Sequence, residues 1–242
     1  MMNFFDTVID QTQACLAPYT PRIYPGNPAR AARETGKNQL ILGSEAAYEL
    51  GALSCDSVST LLVTESETAV PQDEILVYGP DLADIRQDCS FARIAILRTD
   101  NIAQNGEQAA FAILREIETR KYGVYPEGYM IRAAAFSNRE QARVSKKALK
   151  AGLNFEQIGN LFIRQYKQNR HVQAVKLMFV TLPEAPYGEL DTLATKAQAI
   201  TKALDHILDD VNMDCNACEW KVVCDEVEGM KEMHGKIRRR GH

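Results

Sequence analysis

The chain has 242 residues, enough for one or two domains with a real core. Apolar residues make up 45% and charged residues 25%, and 14 glycines with 9 prolines exclude collagen-like and low-complexity classes. The net charge of −4 argues against a nucleic-acid surface driven by bulk charge, and no apolar run approaches the roughly 18 to 20 residues of a membrane helix.

In chain order, the first forty residues hold Pro18, Pro21, Pro25, Gly26 and Pro28 and read as an irregular arm. Arg22 is the first basic residue, so the start lacks the basic segment of a signal peptide and the expected compartment is the cytoplasm. Asn38–Gly43 is a short apolar run that predicts a strand, and Tyr48–Leu53 continues that sheet. Ser59–Thr64, Glu74–Tyr78 and Ala92–Leu97 predict three more strands, each four to eight residues long and bounded by polar or turn residues. Gly106 to Lys121 predicts a helix, with Ala110, Ile113, Leu114 and Ile117 at helical spacing. Tyr129–Ala135 predicts a strand. Ser145 to Gly152 predicts a short helix with Ser145 as N-cap, and Asn154 caps the next, whose apolar face is Phe155, Ile158, Phe162 and Tyr166. Val172–Thr181 alternates clearly as a strand, and Glu189 to about Asp210 predicts a long helix. The interleaving of strands and helices gives an α/β class: a mixed sheet with flanking helices. The expected division is an α/β domain over 1–210 and a small cysteine-rich, metal-binding appendix over 211–242 with a basic tail.

The cysteines carry the sharpest chemistry. Cys15, Cys55 and Cys89 are scattered, whereas Cys215, Cys218 and Cys224 fall within ten residues. Structural disulfides are rare in a reducing compartment, and a crowded set there points to a metal. A Cys-x2-Cys pair turns two thiolates onto one metal or one cluster edge, and a third six residues later closes the site from another side. A [4Fe–4S] cluster is the first expectation, since cubanes take thiolates, and zinc is the runner-up. Trp220, Val222 and Val223 lie inside the loop and are positioned in sequence to shield a cluster.

Arg132, Arg143, Lys146, Lys147, Lys150, Arg164 and Lys167 form a basic region. It suits either a solvated face or an anion site, with Arg132, Arg143 and Lys146 as the candidate cofactor-binding residues for a nucleotide-bearing thioester such as coenzyme A. Gly79-Pro80-Asp81 follows a strand; it reads as a strand-ending turn, or as the acidic start of a metal-dependent nuclease site. The second acidic motif of such a nuclease is Asp/Glu-x-Lys, and the nearest approach, Glu118-Thr-Arg-Lys121, has one residue too many. His171 and His206 are isolated and read as structural. No Gly-x-Gly-x-x-Gly, P-loop or Gly-x-Ser-x-Gly is present.

Arg143 to Gly152, the Phe155–Gly159 helix start and the Val172–Thr181 strand resemble the middle region of the CO dehydrogenase/acetyl-CoA synthase beta subunit family. The resemblance extends back through Val77-Tyr-Gly-Pro-Asp81 and Asn38–Leu50, and forward to the long helix and the cysteines, covering about residues 25 to 234 in shared order. It implies that Cys215, Cys218 and Cys224 match the first cubane ligands of that family, at a shorter gap before the third. The family places a fourth cysteine ten positions after the third; His234 stands there, and it is the expected fourth ligand, with Cys15, Cys55 and Cys89 as rivals. The Cys-Gly-Cys of the family's nickel site does not occur in this sequence. The expected function is therefore an iron–sulfur protein with an electron-transfer or accessory role in anaerobic one-carbon or corrinoid metabolism, without its own nickel site. The alternatives are a synthase component completed by a partner chain and, third, a cluster-stapled nuclease. The expected partners are a redox or corrinoid protein and a second copy of the chain, with no nucleic acid and no membrane.

Overall fold

The computed structural model describes residues 4–133, 138–209, 218–227, 229–230 and 232–233. In order the elements are α1 (Asp6–Leu16), β1 (Arg22–Pro25), β2 (Ala46–Leu50), β3 (Ser57–Thr64), β4 (Glu74–Tyr78), β5 (Phe91–Thr99), α2 (Glu107–Thr119), β6 (Tyr129–Ala133), β7 (Glu140–Ser145), α3 (Lys146–Lys150), α4 (Phe155–Tyr166), β8 (Val172–Val180), α5 (Tyr187–Asp209) and α6 (Lys221–Glu226). Five strands form a mixed sheet in the order β1-β4-β8-β5-β3, and β2-β7-β6 form a small antiparallel sheet. The mixed α/β class read from the sequence holds.

Strand periodicity assigns the two cores. Even-numbered residues of the central strands (Leu62, Ile94, Ile96, Met178, Val180) face α1, α5 and α6. Odd-numbered ones (Ile75, Val77, Phe91, Leu97, Leu177, Phe179) face α4 and the small sheet. Successive strand side chains point to opposite faces, so a near-continuous apolar run such as Phe91–Thr99 marks a strand covered on both sides.

Arg93 stands in the middle of that run and is fully buried. Its Nε donates to Glu140 Oε1 at 2.7 Å and its Nη2 to Glu140 Oε2 at 2.5 Å, while its guanidinium lies 4.4 Å from the centre of the Phe162 ring. The pair joins β5 of the large sheet to β7 of the small one.

Three expectations from the sequence need correction. The first forty residues are not an irregular arm: Val8, Ile9, Thr12 and Leu16 form the buried stripe of α1, and Arg22–Pro25 pairs antiparallel with β4. Asn38–Gly43 is not a strand but a strap tied largely by side chains. Asn38 Nδ2 donates to the Ile131 carbonyl (2.9 Å), Gln39 Oε1 accepts from Gly128 N (3.0 Å), and Arg143 Nη1 donates to the Ile41 carbonyl (2.7 Å). Its middle residue Ile41 is buried and its neighbours Leu40 and Leu42 are 75% and 52% exposed, so the apolar run does not fill a ladder. The strand expected at Tyr48–Leu53 is Ala46–Leu50, ended by Gly51 at φ +62°. The strand β7 had no separate expectation, and positions 134 and 135 of Tyr129–Ala135 lie outside the described residues.

The two caps are as read. Ser145 Oγ accepts from Ala148 N at 3.0 Å, and Asn154 with Gln157 forms a capping box on α4.

Candidate functional site

Of the four expected metal ligands, two are described. Cys218 precedes α6, and its carbonyl accepts from Lys221 N at 3.2 Å; Cys224 lies within α6, and its N–H donates to the Trp220 carbonyl at 3.0 Å. Both are half-buried. Trp220, Val223 and Cys224 pack onto the core shared by α1 and α5, and Val227, Met230 and Met233 are buried in it. The second half of the cysteine segment is thus laid down on the body of the fold by its own apolar side chains. Cys215 and His234 lie outside the described residues, and among the described residues no three His, Cys, Asp or Glu side chains gather at one point. The donor chemistry fits a soft-ligand centre: thiols at an apolar surface favour iron–sulfur or zinc over magnesium or calcium.

Cys15 and Cys89 sit in different chemical settings. Cys15 Sγ donates to Glu189 Oε2 at 3.3 Å, and burial, then this hydrogen bond, pushes its thiol up. Cys89 packs against the opposite core, and burial, then Cys55 and Asp88, pushes it up to about 11.

The three basic candidates occupy one neighbourhood with different roles. Arg143 is half-buried and committed: its Nε donates to Glu49 Oε1 at 2.7 Å, its Nη2 to the same carboxylate, and its Nη1 to the strap. Arg132 is exposed on β6, on the same face of the small sheet as Arg143 by the register Met130↔Arg143 and Arg132↔Gln141. Lys146 opens α3, with its Nζ on the Ser44 carbonyl at 3.0 Å.

Lys146 and Lys147 line an open cleft of about 810 Å³ between the strap and the α3–α4 corner. Its apolar floor is Ala32, Ile41, Ala148 and Leu153, and its rim also carries Arg33, Glu45 and Glu127. Arg33 faces Glu127 at 3.4 Å. Arg132 and Arg143 are not among the residues that line the cleft. Sequence reading found Lys146 but missed the cleft itself, because its wall is a strap that the apolar pattern had assigned to a sheet.

Gly79-Pro80-Asp81 is a structural turn. Asp81 Oδ1 is buried and accepts from Leu82 N (2.7 Å) and from Phe155 N (2.9 Å), the first residue of α4. Thr181 Oγ1 donates to the Pro80 carbonyl at 2.7 Å. Two backbone donors on this one oxygen give Asp81 a structural role, tying the turn to the start of α4. His171 Nδ1 lies 2.9 Å from Asp100 Oδ1, and its backbone carbonyl accepts from Asp100 N.

No individually curated protein matches the chain. Residues 38–185, which hold the strap, most of the cleft lining and the Gly-Pro-Asp turn, match the family model for the CO dehydrogenase/acetyl-CoA synthase complex beta subunit, and the chain belongs to that family.

Proposed function

We propose that this family member is an iron–sulfur protein serving electron transfer or an accessory step of one-carbon or corrinoid-linked metabolism, with Cys215, Cys218 and Cys224 as cluster ligands. The observation that carries the reading is Cys218 and Cys224 half-buried on a segment docked to the core of a chain of this family. A bound cluster would supply one-electron chemistry. The chain's own contribution would be to hold Cys218 just ahead of α6 and Cys224 within it, both half-buried on a segment that Trp220 and Val223 pack onto the core. Zinc would meet the same donors, so anaerobic purification with iron, sulfide and zinc analysis tests the reading; zinc alone under those conditions overturns it.

The cleft supports a second element, an anionic ligand with an apolar portion, for which coenzyme A or its thioesters are the proposed class. Its volume falls within the range of small-molecule sites, and its lysines sit beside an apolar floor. Isothermal titration of the full chain with coenzyme A checks this. Lys146→Glu with Lys147→Glu is expected to weaken binding at least tenfold; wild-type chain that binds none rejects it. A redox or corrinoid protein partner and a cytoplasmic setting are further parts of this proposal, and membership of a family described as a complex subunit supports a partner; among the described residues no helix is long and apolar enough to cross a membrane.

A further inference from the structure

We infer that Cys55 and Cys89 are a redox couple, two thiols at the shared entrance of β3 and β5 that close into a disulfide by exchange with a small-molecule disulfide. The inference is separate from the cluster reading: Cys89 borders the core under α4, whereas Cys15 and Cys224 border the opposite one.

Strand register brings the pair together. The strands β3 and β5 run parallel, and their ladder begins with Ser57 opposite Phe91. The alignment continues one step ahead of the ladder: the Phe91 N–H donates to the Asp56 carbonyl at 3.0 Å, and the Asp56 N–H donates to Ser90 Oγ at 3.2 Å. One residue further back on each chain stand Cys55 and Cys89. Cys55 belongs to a turn closed at its base, where a Cβ added to Gly51 would lie 2.9 Å from Ser57 Cβ. The Gly51 N–H donates to the Cys89 carbonyl at 2.8 Å, and the Cys55 N–H donates to the Ala52 carbonyl at 2.8 Å, so the turn folds back beside Cys89. Neighbouring parallel strands lie about 4.8 Å apart, inside the Cα separations of about 4.4–6.8 Å that a disulfide takes.

The electrostatic setting agrees. After burial, Cys55 is the strongest influence that pushes the Cys89 thiol up. Burial, then Cys89 and Asp56, pushes the Tyr187 phenol up, and Cys55 adds to it, so both sulfurs face one hydroxyl. Both cysteines are half-buried, and Leu53 at the tip of the turn is 89% exposed, which leaves a small reagent a way in.

Burial disfavours the Cys89 thiolate, so Cys55 attacks first. Its proton goes to water, its sulfur bonds to one sulfur of the small disulfide, and the other sulfur leaves and takes up a proton. Cys89 then loses its proton, bonds to the Cys55 sulfur and expels the second small thiol. Two protein thiols are oxidised by two electrons, and one small disulfide is reduced to two thiols. The new bond ties the turn that ends β2, in the small sheet, to the entry of β5, in the large one.

The test incubates the reduced full chain with oxidised glutathione, quenches with iodoacetamide and digests with trypsin. Arg86 separates the two thiols, leaving Cys55 in Asn38–Arg86 and Cys89 in Gln87–Arg93. These two peptides are expected to appear joined, lighter than their sum by two hydrogens, and to part on reduction. Cys89→Ser should stop at a mixed disulfide of glutathione with Cys55, and Cys15→Ser should leave the joined peptides unchanged. The equilibrium constant for closure against glutathione should be about tenfold or more larger for the folded chain than in urea. A folded wild-type chain in which both thiols stay open and alkylate, or one that closes no more readily than in urea, overturns the inference. Neither result touches the cluster reading, and a chain that binds zinc or no metal leaves this couple standing.

Discussion

Cys89 and the Arg93–Glu140 pair show how burial shapes residue behaviour in this fold. Only a thiolate alkylates, and a thiol pushed up to about 11 is about one part in a thousand thiolate at pH 8. The alkylation rate of Cys89, followed by peptide mass spectrometry, is predicted to rise about tenfold per pH unit from 8 to 10 without levelling. A plateau near pH 9 would show that the site is not desolvated as described. For the ion pair, both side chains are 1% exposed, so removing one partner strands a charge. Glu140→Ala should cost about 3–5 kcal/mol in urea denaturation, whereas the double change Arg93→Met with Glu140→Leu should recover most of that loss. A single-variant loss below about 1 kcal/mol would contradict the buried pairing.

The turn at Asp81 and the helix α4 belong together at the scale of elements. Asp81 takes the N–H of Phe155 across 74 positions of sequence, so one carboxylate ends β4 and helps start α4. Asp81→Ala is predicted to cost about 1–2 kcal/mol and to lower Tm by a few degrees. Gly159 faces Ile75 so closely that an added Cβ would lie 2.7 Å from Ile75 Cδ1, and Gly159→Ala is expected to destabilise by about 1–3 kcal/mol through overpacking, measured the same way. A neutral result would mean that α4 rides farther from β4 than described. These elements were the legible part of the sequence. The strand Val172–Val180 shows its alternation, and Ser145 and Asn154 announce their helices by side chains that bond only three residues away. What could not be read depends on distant partners. The strap at 38–43 has the composition of a strand, but its bonds go to Arg143, Ile131 and Gly128, some ninety to a hundred residues onward. The helix α1 was readable from Val8, Ile9, Thr12 and Leu16, but the prolines that follow it dominated the reading. The cysteine spacing predicts a metal centre, whereas the packing of Trp220, Val223 and Cys224 onto the core shared with α1 and α5 emerges only from the fold.

Taken whole, the molecule is a five-stranded sheet with two unlike faces. One is closed by α4 and the small sheet and carries the basic cleft at its border. The other is closed by α1 and α5, and α6 brings Cys218 and Cys224 onto it. The central claim is that this second face holds an iron–sulfur centre. The direct measurement is the visible spectrum of the anaerobically purified full chain, with iron and acid-labile sulfide determined on the same sample. The account predicts iron and sulfide in equal amounts and a broad visible absorption that bleaches on reduction with dithionite. A colourless chain carrying zinc and no sulfide would contradict it.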